Sequence, residues 1–105
     1  MQGEVIFCNA AKTLTARLGG EIDHHSAKRS REAIDTMLFR TKPEILVLDF
    51  SDVKFMDSSG IGLIIGRLEI ASSLGADVRL IGLSSSLKRI VRLSGIEKLD
   101  GISIR

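Results

Sequence analysis

Apolar residues recur along this chain with two different periods, and the switches between them lay out its elements. Residues 5–8 (VIFC) and 14–18 (LTARL) are short β-rich or alternating runs, and the link at 9–13 suits a hairpin. Gly19 and Gly20 are expected to close the second strand, after which Asp23 is placed to cap a helix. In that helix Ala27, Ile34, Met37 and Leu38 make an apolar stripe, while Lys28, Arg29, Arg31, Glu32 and Asp35 take the solvated side. Pro43 ends the helical region, and residues 45–50 (ILVLDF) are nearly all apolar, the pattern of a central strand covered on both faces.

A second helix is predicted from near Ser58, with Ile61, Ile64, Ile65, Leu68 and Ala71 on its inner face and Gly75 as a stop. Residues 78–83 read as the next strand and residues 84–86 as capping hydroxyls. Leu87, Ile90 and Val91 stripe a third helix that Gly95 can end, and residues 102–104 read as a terminal strand. Strand and helix alternate between residues 14 and 93, which implies right-handed crossovers. The expected fold is α/β: one domain over residues 1–105, a mixed four- to five-stranded sheet with helices packed on it.

Charge and composition narrow the function classes. Fifteen Lys and Arg against thirteen Asp and Glu leave a formal charge of +2, too even for electrostatics alone to hold a polyanion. Lys88, Arg89 and Arg92 on the third helix would be the footprint of a nucleic-acid binder, but a solvated face explains them. The chain has no Trp or Tyr, and Phe7, Phe39, Phe50 and Phe55 lie in or beside apolar runs, so no base-stacking platform is expected. The longest stretch without charge, residues 58–66, is far short of the roughly 20 apolar residues that span a bilayer. The first residues, MQGEVIFCNA, lack the basic stretch and apolar core of a secretory signal, so a cytoplasmic protein is expected. Cys8 is the single cysteine; within VIFC it reads as a small buried hydrophobe.

The turn FMDSSGIG, residues 55–62, sits at the carboxyl end of the central strand and the amino end of a helix, where open α/β sheets place ligands or function. One Asp or Ser oxygen suffices as a helix cap. With Asp57 or Ser58 in that role, and Gly60 allowing a tight backbone, at least one hydroxyl is left over as a candidate phosphoacceptor. Other chemistries fail on spacing. Gly60, Gly62 and Gly66 make G-x-G-x-x-x-G, one residue longer than the dinucleotide fingerprint, and no phosphate-loop Lys follows. Ser58 has Met56 where a nucleophile elbow needs glycine. His24 and His25 are adjacent and point to different sides of a helix, so neither a catalytic nor a metal site is assigned. Gly62 and Gly66 read as positions that allow close packing on the sheet. The competing reading is a small nucleotide-binding protein or NTPase using the helix amino terminus at Ser59 as an anion site.

The segments LVLDFSDVKFMDSSGIGLIIGR, LGGEIDHHSA and LIGLSSSLKRIVRLSGI resemble the STAS domain of bacterial anti-anti-sigma factors, the sporulation type in particular. The resemblance extends over almost the whole chain in the order of strands and helices. It implies a regulatory protein rather than an enzyme, without a cofactor. It also implies that the unmodified form binds an anti-sigma factor that is also a serine kinase, freeing a sigma factor. The kinase then phosphorylates Ser58, and a PP2C-type serine phosphatase restores the active form. The partner-binding residues it implies are Asp57, Ser58, Ser59 and Gly60, completed by Glu21, Asp23, His24 and Ser26.

Overall fold

The computed structural model describes residues 3–105. Strands β1 (Val5–Ala10) and β2 (Thr13–Ile22) form an antiparallel hairpin. Its turn is shorter than the polar link suggests, because Ala11 and Lys12 both take positive φ, at 52° and 61°, as a two-residue hairpin turn twisted like its strands requires. β2 does not stop at Gly19 and Gly20 but continues to Ile22. The register against its neighbour shifts on either side of that pair, and Gly20 at φ 72° absorbs the irregularity as a bulge that bends the strand without ending its pairing.

Helix α1 (His24–Thr41) leads into β3 (Ile45–Met56), α2 (Ser58–Ser73), β4 (Asp77–Ile81), α3 (Ser85–Ser94), a 3-10 turn at Ile96–Lys98, and β5 (Ile102–Ile104). The sheet order is β1-β2-β3-β4-β5, with only the first pair antiparallel. Because each parallel crossover moves one strand in the same direction, crossovers of the usual right hand put all three helices on one face. Burial agrees. Leu14, Ala16 and Leu18 of β2, Leu46, Leu48 and Phe50 of β3, and Val78 and Leu80 of β4 join Ile34, Leu38, Leu63, Ile64, Leu68, Leu87 and Val91 in a single core.

The opposite face corrects the expectation that β3 is covered on both sides. Thr15, Val47 and Arg79 are adjacent there by register, and Val47 is low in exposure yet lies outside the core cluster. Its shielding comes from neighbouring side chains on the sheet rather than from a helix. The same alternation overturns the reading of Cys8: Val5 and Phe7 turn inward, so Ile6 and Cys8 turn outward, and the thiol is exposed.

Helix α2 is also rotated relative to its expected stripe. Ile64, Leu68 and Ala71 are buried as predicted, but Leu63 and Arg67 complete the buried face, and Ile61 and Ile65 are only half-buried. Arg67, 4% exposed, meets Asp35 of α1, with Nε 2.7 Å from Oδ1. The approach is close but poorly aligned, leaving Nε and Nη1 without a hydrogen bond among the described residues, so attraction between charges holds the pair. Asp35 therefore belongs to the interface between α1 and α2 rather than to the solvated side of α1. Gly62 and Gly66 do not mediate close packing, since a Cβ at either would meet nothing within 4 Å.

Candidate functional site

β2 and β3 run in parallel and end in register, Ile22 opposite Met56. The next residue of each strand is an aspartate that caps a helix, Asp23 for α1 and Asp57 for α2. Both are in extended backbone, as an N-cap needs. The Asp57 N–H donates to the Ile22 carbonyl at 3.2 Å, so the two capped turns form one surface.

At the first turn the Asp23 carboxylate accepts from the N–H groups of His25 and Ser26, at 3.0 and 2.9 Å. The Ser26 hydroxyl accepts from the Asp23 N–H at 2.9 Å and donates to the Glu21 carbonyl at 2.8 Å. This is a capping box with Ser in place of the usual Glu or Gln. The backbone donors hold the Asp23 carboxyl below the usual carboxylate range, the Ser26 N–H most strongly. Glu21 and His24 are exposed, whereas Ser26 is buried and braces the turn. The rings of His24 and His25 lie edge to face, with centroids 5.8 Å apart.

At the second turn Asp57 accepts from the Ser59 N–H at 2.7 Å, and the Asp57 carbonyl accepts from the Gly60 N–H at 3.0 Å. With the cap supplied by Asp57, Ser58 is exposed and its hydroxyl makes no hydrogen bond among the described residues. Gly60 is buried, and a Cβ there would fall inside Met56 Cγ and Sδ. A side chain is thus excluded at Gly60 by the Met56 side chain packed against it.

Ser59 is half-buried and faces a groove of about 310 Å³ between the first turns of α1 and α2, lined by His24, Ala27, Lys28, Arg31, Ser59, Gly62 and Leu63. Glu21, Asp23, His24, Asp57, Ser58, Ser59 and Gly60 thus gather at one end of the sheet, with Ser26 beneath them. Sequence reasoning missed Lys28 and Arg31, which had been placed with the general solvated face of α1. The signal was available in their spacing from His24, four and seven residues on, which stacks all three along one side of a helix.

This geometry is that of a family with a named fold. Residues 2–103 match the model of the STAS domain, and the chain belongs to that family. An anti-sigma F factor antagonist of Paenibacillus polymyxa is 34% identical over 86 residues, covering 82% of this chain and 74% of the relative. The structure of the anti-sigma factor antagonist SpoIIAA in its unphosphorylated form superimposes with a TM-score of 0.81 at 26% identity, over 97% of this chain and 88% of that one. The Bacillus cell fate determinant SpoIIAA in the phosphorylated form superimposes with a TM-score of 0.73, also at 26% identity, over 97% of this chain and 91% of that one.

Proposed function

We propose that this chain is an anti-sigma factor antagonist: unphosphorylated, it binds an anti-sigma factor that is also a serine kinase, and phosphorylation of Ser58 ends that binding. The observation that carries this reading is the exposed Ser58 hydroxyl, without a hydrogen bond among the described residues, beside a cap that Asp57 already supplies. The relatives named as anti-sigma factor antagonists, one of them with structures in both phosphorylation states, support it. Glu21, Asp23, His24, Asp57, Ser59 and Gly60 form the docking face in this reading, and Ser26 contributes by holding the first turn. The protein is a substrate and a switch, without catalysis of its own, reset by a PP2C-type phosphatase in the cytoplasm.

A phosphate at Ser58 adds about −1.5 to −2 charges at a helix amino terminus, where the dipole favours an anion. The fold therefore tolerates it, and the change acts on the partner. Introducing that charge into a packed interface costs a few kcal/mol, which weakens binding by roughly two orders of magnitude.

The test is intact mass and peptide mapping after incubation with ATP and the cognate anti-sigma kinase, with affinities of the variants for that kinase. One phosphate on Ser58, lost binding by Ser58→Asp and retained binding by Ser58→Ala are expected. Phosphate confined to another residue, or equal affinities of the two variants, would exclude the mechanism.

The alternative of a nucleotide-binding protein or NTPase is less well supported, because the turn has neither a phosphate-loop lysine nor the dinucleotide spacing.

A further inference from the structure

Beside the turn that carries Ser58 lies a groove whose charge has one sign. His24, Lys28 and Arg31 form its α1 wall, Ser59 and Leu63 its α2 wall, Gly62 leaves it open, and no acidic residue lines it. Neither Lys28 nor Arg31 has an ion-pair partner among the described residues. Asp35, one turn beyond Arg31, feels the Arg31 charge through space, but it is held against Arg67. The helix thus commits its partly buried carboxylate to the buried cation and leaves the two at the groove without a salt bridge among the described residues. Ala27 and Leu63 add apolar surface between them.

We propose that this groove is a docking site for an acidic segment of the anti-sigma factor, with Lys28 and Arg31 as its specificity-determining residues. The proposal rests on the partner reading above and deepens it. Two arguments converge on an acidic occupant. Exposed cations without a salt bridge, flanking an apolar patch, complement a carboxylate-bearing segment that also offers an apolar side chain. The direction of the proposed switch fits the same sign. A phosphate on Ser58 facing a basic partner surface would strengthen binding, because phosphate pairs strongly with Arg and Lys. Facing carboxylates it repels them, and it also draws on the cations of Lys28 and Arg31 that had held them. Phosphorylation thus ends binding from both sides of the contact, which a lone steric block at Ser58 would not do.

The experiment is calorimetric titration of the full chain with its anti-sigma kinase at about 50 and about 300 mM salt, where screening of exposed charges differs markedly. The wild type, Lys28→Glu with Arg31→Glu, and a control pair on α3, Lys88→Glu with Arg92→Glu, are compared. The groove variant is expected to lose about tenfold or more in affinity at low salt, with a shallower salt dependence than wild type, and the control pair to change less than about twofold. Thermal melts check that each variant folds, and Lys28→Glu alone replaces the double variant if that one does not. Groove variants that bind within about twofold of wild type would overturn the docking site while leaving the switch at Ser58 intact. Absence of binding by the wild type would instead remove the anti-sigma reading, and the docking site with it.

Discussion

The Ile22 carbonyl and the Asp57 amide are joined by a hydrogen bond of 3.2 Å, which carries the parallel ladder of β2 and β3 one step past the strands and into the turn that presents Ser58. The loop of Glu21 and Asp23 and the loop of Asp57 and Ser58 are tied together at this bond, and their residues are best tested by substitutions that separate structure from contact.

Gly60 makes such a separation possible. A methyl group there must displace Met56 Cγ and Sδ, so Gly60→Ala is expected to destabilise the protein by about 1–3 kcal/mol, the usual range for overpacking. Shortening the obstacle should relieve it: Gly60→Ala combined with Met56→Ala is expected to lose less than the sum of the two single changes. Urea unfolding of the four proteins measures this coupling, and simple additivity would show that Met56 is not what excludes the side chain.

Asp57 has a structural role that Asn can share and a charge that Asn lacks. Asp57→Ala removes the acceptor of the Ser59 N–H and is expected to cost about 1 kcal/mol. Asp57→Asn keeps an acceptor and should stay within about 0.5 kcal/mol of wild type. Comparing the denaturation midpoints with kinase affinity separates the roles: weakened binding by a stable Asp57→Asn protein assigns the charge to the interface, and unchanged binding assigns Asp57 to the cap.

Arg67 and Asp35 are expected to show strong dependence on one another. Asp35→Ala leaves a buried guanidinium without its counter-charge and should cost about 2–4 kcal/mol, whereas Asp35→Leu with Arg67→Met should fall near wild type, because the pair is poorly aligned and apolar replacements avoid desolvation. Burial pushes the Asp35 carboxyl up despite Arg67, and pushes the Arg67 guanidinium down. Equal losses in the single and double variants would show that the charges do not compensate one another.

The acid limb of stability has an identifiable contributor at the first turn. Asp23 has a folded pKa below its ordinary value, principally through the Ser26 N–H. Its contribution is therefore present above the ordinary carboxylate range and is lost as pH falls through that range toward the depressed value. Asp23→Asn still caps α1 but does not titrate, so it should flatten this part of the acid limb while changing stability little at neutral pH. Asp35 works in the opposite sense, since a raised folded pKa favours the fold at low pH and withdraws that support as pH rises. Denaturation midpoints followed from pH 7 to about 3 test the assignment, and parallel curves for wild type and Asp23→Asn would contradict it.

Much of this was legible from residue order. The cap at Asp23, the start of α2 at Ser58 and the spare hydroxyl follow from local chemistry, because a capping carboxylate and the strand before it lie within a few residues. What was not legible depends on how elements face one another. Apolar content along ILVLDF does not distinguish a strand sandwiched by helices from one whose outer face is closed by sheet neighbours such as those around Val47. Glycine spacing at 62 and 66 suggested close packing, yet the packed glycine is Gly60, and only the position of Met56 reveals it. Arg67 interrupts an apolar run and has no part in the inner face predicted for α2, because its burial depends on Asp35 lying opposite it on α1. Lys28 and Arg31 became part of the site only once α2 placed Ser59 across from them.

The unbonded hydroxyl of Ser58 also bears on time. Esterifying a group that holds no internal bond requires no local opening of the fold, and removing the ester restores nothing that had been broken. No bond of the Ser58 hydroxyl among the described residues thus holds the unmodified form in place, so the lifetime of the mark is set by how often outside enzymes meet it. In the proposed switch, Ser58 behaves as a one-bit memory: written and erased from without, and read through the groove beside it.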